Sequence, residues 1–312
     1  MMRITLIAVG LLLAVLLPLA IPWLNFVFIM AVAKGFAALG VVLLLRAGMI
    51  SIGHAVFLAS GAYVTAFLLR QTGITDLGLI LLVATLGSGL FGFLIGMFMV
   101  RYRAIFFAML NMAVSMVVFA LLAKLYHLTG GTDGVRVATP TVLGAVLDRT
   151  VFDSLLLYIS LALLVAVGWL VHRYLSSPLG KALEAVHTNE VRLEYLGVSA
   201  WGVLLYAYTI SAALAGLGGA LAAIAVGHVV PELAYWTHSG QLVLIAVLGG
   251  IGGVVGPFIG ALFFEIVRVV AAGYAAYTWN MIVGLALLGV IFFLPNGLYG
   301  LVQRLLKRGG GS

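Results

Sequence analysis

The chain has 312 residues, of which 64% are hydrophobic and 8% charged, against about a quarter charged in a soluble domain, so a soluble fold is excluded. Its net charge of +7 comes from basic residues scattered in ones and twos between apolar runs, which argues against a nucleic-acid face and fits the positive-inside rule. No Cys occurs, which removes disulfides, thiolate metal sites and Cys nucleophiles.

Eight stretches of 19 to 37 residues contain no Asp, Glu, Lys or Arg. A membrane helix needs about 20 apolar residues, and these runs do not alternate as barrel strands do, so the expected fold is an all-α polytopic membrane protein. In chain order the spans fall near 4–22, 26–45, 50–69, 78–100, 104–126, 154–173, 202–225, 239–252, 254–272 and 278–295, or nine to ten crossings with broken or re-entrant Gly-rich segments. Met1 to Pro22 has the basic start of a signal peptide but no small-x-small cleavage site, and reads as a retained first helix. Gly309 to Ser312 reads as a linker, leaving one transmembrane domain over residues 1–308.

With Arg3 in the cytoplasm, Arg101, Arg103, the segment 176–200 and the cluster Arg304, Lys307, Arg308 also fall inside, while 127–153 and 226–238 fall outside. The open point is whether 239–272 crosses twice, or once with a break.

Glycine makes up 39 residues, well above the ordinary share of about 7%, as suits close helix packing and unwound backbone. Two Gly-rich patches, Ser51 to Tyr63 and Gly250 to Leu262, agree at five aligned positions, from Ile52 with Ile251 to Ala62 with Ala261. Chance and an internal repeat both account for the match. A repeat would make the patches broken helices lining one pathway, with Ser51, Gly53, His54, Phe57, Gly61, Asn111, Gly252, Gly256 and Pro257 along it.

Segment 176–200 alone combines both charge signs with helical periodicity. Ser177 before Pro178 starts a helix, Leu179, Ala182, Leu183 and Val186 share a face, and Thr188 or Asn189 caps a second short helix ending at Gly197. Such an apolar stripe on a loop is expected to meet a partner protein or the membrane surface, unless the segment is merely a surface elbow.

Single residues keep two readings. His54 is a packed, hydrogen-bonded His or a pathway residue. Asn111 and Ser115 line a polar stripe or glue helices together. Lys34 and Glu265 lie in apolar helices and either pair with each other or leave Glu265 to Arg268; structural pairing is favoured over a functional site. Trp236, Trp279, Tyr235 and Tyr277 read as interface anchors. The loop Gly130 to Gly134 is a turn or docking element rather than an anion nest.

Taken in order, the motifs resemble one family. The run Gly48 to Tyr63 (GMISIGHAVFLASGAY) is similar to the G-x-x-S-x-G-H-x-x-F…G-A-Y signature of the branched-chain amino acid ABC permeases, M-type subunit. Tyr102 to Ala108 resembles R-G-x-Y-F-A, Thr129 to Gly134 the external T-G-G-x-D-G loop, and Ser177 to Gly197 the cytoplasmic S-x-x-G-x-A…N-E…L-G element. Ser211 to Ala220, Leu248 to Gly260 and Leu294 to Leu298 resemble three later motifs, with Ala212, Asn296 and Glu194-Tyr195 as departures.

The resemblance implies an ATP-driven importer: two cytoplasmic ABC ATPases, a second permease of the H type, and a periplasmic or lipid-anchored binding protein, all at a bacterial or archaeal cytoplasmic membrane. In it Leu179, Gly180, Lys181, Leu183, Glu184, Val186, Glu190 and Gly197 couple to the ATPase, and Thr132, Asp133, Arg136 and Glu232 receive the binding protein. Gly180-Lys181 is the one Gly-Lys pair and lacks the rest of a Walker A loop, so no cofactor is expected on this chain and ATP belongs to the partners. No metal site or catalytic residue is expected. Related permeases carry urea, amides or aromatic acids; an ion-coupled secondary transporter is the second class, and no enzyme motif appears.

Overall fold

The computed structural model describes residues 21, 23–274, 278–293 and 297–300. The expected first span, Arg3, Tyr277, Asn296, the cluster Arg304, Lys307, Arg308 and the terminal linker lie outside them, as does the side chain of Trp279.

The apolar runs become helices because backbone in lipid must satisfy its own hydrogen bonds. Six are long and apolar enough to cross a membrane: α1 (Leu24–Arg46), α3 (Leu77–Met99), α4 (Ala104–Lys124), α5 (Arg149–Ser176), α7 (Ala200–Val226) and α9 (Gly256–Tyr274). Three shorter ones complete the body: α2 (Ala55–Phe67), extended by a π turn over Leu68–Thr72, α8 (Trp236–Gly249) and α10 (Trp279–Phe293). A further helix, α6 (Pro178–Tyr195), is amphipathic and lies at one end, and a single turn spans Tyr126–Thr129. The chain is a multi-pass, all-α membrane protein.

Helices α1 and α7 form the central pair, buried nearly all round, with α2 and α3 packed on α7 and α9 packed on α1. Glycine sets the closeness of these crossings. A Cβ on Gly61 of α2 would stand 2.0 Å from the Gly216 carbonyl oxygen of α7, so the two backbones touch. Around this core α4 and α5 turn large apolar side chains outward, Phe106, Met109 and Trp169 among them, as suits contact with lipid.

Contacts between distant segments fix the ends. At the basic end Arg46 donates to Glu184 (2.8 Å) and to the Ile251 carbonyl (3.2 Å), and Arg103 pairs with Glu190 (2.6 Å). Ile251 therefore reaches the same end as α6, so α8 and α9 run in opposite directions with their turn at that end, and of the two only α9 is long enough to span a membrane. At the opposite end the strand β1 (Val135–Arg136) pairs antiparallel with β2 (His228–Val229), Val135 opposite Val229, so the two loops expected to be external form one cap. Asp76 joins it, capping α3 at Leu79 N and accepting from Leu143 N, both at 3.1 Å.

Candidate functional site

The first Gly-rich patch is built into the interior. Ser51, Gly53, His54, Phe57, Gly61 and Asn111 are all buried. A Cβ on Gly53 would stand 2.1 Å from the Asn111 carbonyl oxygen. The Ser211 hydroxyl donates to the Gly40 carbonyl at 2.6 Å, so its only proton is spent. His54 Nε2, 3.2 Å from that hydroxyl, therefore carries the ring proton and donates, leaving Nδ1 a bare acceptor without a partner among the described residues. The Ala55 N–H donates to Ser239 Oγ at 2.9 Å, tying the start of α2 to α8.

Asn111 and Ser115 act as glue. Asn111 accepts from the Tyr208 hydroxyl at 2.6 Å and donates to the Phe107 carbonyl at 2.8 Å, while Ser115 donates to the Ala234 carbonyl at 2.5 Å. Phe57 and Phe107 stand edge-on to the Tyr208 ring, with centroids 5.4 and 5.9 Å away, and close this cluster.

The second patch packs elsewhere. Gly256 and Pro257 are buried where α9 starts, Phe258 meets Phe36 of α1 edge-on at 5.3 Å, and Gly252 is exposed in the turn between α8 and α9. The two patches thus flank the central pair, the first on α7 and the second on α1. Glu265 in the middle of α9 takes both of its expected partners, Lys34 (2.5 Å) and Arg268 (2.7 Å).

The basic-end element follows its sequence closely. Ser177 caps Gly180 N at 3.4 Å with Pro178 in the first turn, and the helix breaks at Asn189, whose side chain caps Arg192 N at 2.9 Å. The Leu183 and Val186 end of its apolar stripe does not await a partner, and that expectation is corrected for these two residues, while Leu179 of the same stripe stays exposed. Leu183 is 0% and Val186 6% exposed, packed with Met49, Val100 and Leu204 beneath the transmembrane body, and Gly180 is held against the backbone of Tyr174 and Leu175. An amphipathic period requires a cover for the stripe without naming it, and here the chain covers its own. The free face instead carries Leu179, Lys181 and Val191, with Tyr195 87% and Leu196 75% exposed and Gly197 beside them. Sequence reasoning missed this pair. The departure at Glu194-Tyr195 was its signal. Arg103 forks onto Glu190, and those hydrogen bonds hold the Glu190 carboxyl below its ordinary pKa.

On the β1–β2 cap Thr132, Asp133, Arg136 and Glu232 are exposed together. The His228 ring lies 3.0 Å from the Asp133 carbonyl, and Gly130, Gly131 and Gly134 have φ of 70°, 57° and 71°, so the glycines serve a turn. Tyr235 and Trp236 begin α8 there.

A multi-pass helical body carries an amphipathic element fixed under one end and a paired-loop cap on the other. The chain belongs to the family described as branched-chain amino acid transport system / permease component, whose profile matches residues 23–293. It is 30% identical over 286 residues to the high-affinity branched-chain amino acid transport system permease protein LivM of Escherichia coli K12, covering 85% of this chain and 67% of that one. Two partial likenesses are the autoinducer 2 import system permease protein LsrC of Klebsiella pneumoniae, 30% over 141 residues (43% of this chain, 40% of that one), and LivH of E. coli K12, 29% over 125 residues (40% of each). No solved structure matches.

Proposed function

We propose that the chain is a permease subunit of an ATP-driven ABC importer in a bacterial or archaeal cytoplasmic membrane. It forms part of the pathway for branched-chain amino acids or a related small polar solute. The observation that carries this reading is the basic-end element: a short helix pair anchored to α1 through Arg46 and Glu184, and to the start of α4 through Arg103 and Glu190, with an apolar face left open below. Force applied by an ATPase at Tyr195 and Leu196 passes through these two anchors into the transmembrane body. ATP itself is bound by two partner subunits, and no cofactor resides on this chain.

A second permease of the H type completes the pathway, in keeping with the two permease proteins, LivM and LivH, that bear one transport system's name in E. coli. A substrate-binding protein docks on the outer cap at Thr132, Asp133, Arg136 and Glu232. The partial likeness to LsrC favours keeping a second solute class, related small polar molecules, beside the amino acids. The chain is co-expressed with its neighbouring genes, reconstituted in proteoliposomes and supplied with radiolabelled leucine. Uptake is expected only with ATP and the binding protein. Uptake driven by a proton or sodium gradient without the ATPases would overturn the reading.

A further inference from the structure

Lys34 is the eleventh residue of α1 and Glu265 the tenth of α9, which places both about 15 Å from their helix ends, at the depth of the bilayer centre. Glu265 is fully buried and holds two cations at once: Lys34 Nζ on one oxygen at 2.5 Å, Arg268 on the other through two hydrogen bonds at 2.7 and 2.9 Å. Lys34 also sits over the Phe264 ring, 4.9 Å from its centroid. Arg268 is charged at any ordinary pH. Among the described residues the ion pairs of both cations go to Glu265 alone, so with Lys34 ionised the triad carries one excess positive charge.

That charge is not sealed in. The Lys34 side chain is 18% and Arg268 28% exposed on the surface of this protomer. A cation at membrane depth does not rest against lipid; it faces a water-filled cavity, a packed partner or a counter-charge. Beside it α8, which packs on both α1 and α9, carries His238 and Gln241, and neither supplies an anion. Glu232 lies exposed on the outer cap.

We propose that Lys34 and Arg268, set by Glu265, form a carboxylate-receiving site that faces the pathway. Glu265 is then a positioning residue: it aligns the two cations and cancels one of their charges, so that a carboxylate is attracted but released. This rests on the permease reading and names the solute group it acts on. The carboxylate comes from one of two sources, the solute or an acidic side chain of the second permease.

The test uses the whole reconstituted complex and L-leucine as the probe. Arg268→Gln and Lys34→Met are each expected to lower ATP-driven uptake at least tenfold, and Arg268→Lys to stay within threefold of the parent. If the second permease still co-purifies with Arg268→Gln, the carboxylate is the solute's; if it is lost, the carboxylate is the partner's. Uptake within twofold for both neutral variants, or equal damage from Arg268→Lys and Arg268→Gln, would overturn the site. Should the neutral variants fail to insert, Gln241→Cys in the otherwise Cys-free chain gives a second measurement. An anionic methanethiosulfonate is expected to label it at least fivefold faster than a cationic one, and equal rates would overturn the proposal. A parent complex that takes up no leucine with ATP fails the permease reading instead, while the labelling preference still reports on the triad.

Discussion

The crossing of α2 with α7 and the seating of α6 beneath the membrane body are both signature segments, yet they are held by different physics. At the crossing, glycines put backbone against backbone, and each neighbour is buried on all sides. Under the basic end, α6 rests on a few apolar side chains and two partly exposed ion pairs, contacts of the kind worth about 1 kcal/mol or less apiece. The first region has no slack, so it is scaffold. The second is gripped at two points and open below, which suits a handle that moves as a unit.

The largest expected effect tests the scaffold. Gly61→Val places a branched side chain where the Gly216 carbonyl already stands 2.0 Å from an added Cβ, and backbone cannot rotate away. Destabilisation of at least about 3 kcal/mol is expected, seen as loss of a monodisperse detergent-solubilised species. Gly252→Ala in the second patch meets nothing within 4 Å and is expected to change stability by less than about 0.5 kcal/mol. Equal thermal melts for the two variants would erase the distinction between the sealed α2–α7 crossing and the exposed turn at Gly252.

Next in size is a contrast within the handle. Leu183→Asp buries an unpaired carboxylate at a fully enclosed position and is expected to cost about 3 kcal/mol or more. Tyr195→Asp changes a side chain 87% exposed and is expected to leave the melt within about 0.5 kcal/mol while lowering substrate-stimulated ATP hydrolysis by the assembled complex. A stable Leu183→Asp variant with normal coupling would mean that the stripe does not seat the element.

What the sequence could disclose follows from how far each determinant reaches. Ser177 with Pro178, and Asn189 about three turns later, act on backbone within three residues, so both helix starts were readable. For Glu265 the sequence offers two partners, Lys34 and Arg268, since few charges lie at membrane depth, and the structure uses both. By contrast, Arg46 meets a partner 138 residues away and Tyr208 meets Asn111 across 97, and no local pattern encodes those distances. The β1–β2 link between the outer loops was hidden likewise, two residues per strand being too short to show alternation. The spans were legible for the opposite reason: apolar length is a local property, and α8 was hardest to place because its 14 residues fall short of the usual span.

The smallest expected effect lies where scaffold and handle join. Ala104 opens α4 with φ of 49°, in the left-handed region, directly after Arg103 forks onto Glu190. The related motif R-G-x-Y-F-A has glycine at this place, and the conformation explains why: a residue with a Cβ pays about 1–2 kcal/mol there. Ala104→Gly removes that cost but loosens the unfolded chain by about 0.4–1 kcal/mol, so a net gain of about 0.5–1 kcal/mol is expected in the thermal melt. If the ion pair is what holds the turn, Arg103→Gln lets Ala104 relax, and the gain from glycine shrinks in the double variant. A glycine gain of the same size with and without Arg103 would show that the turn is set by the ends of α3 and α4 alone, and that the handle does not strain the scaffold it grips.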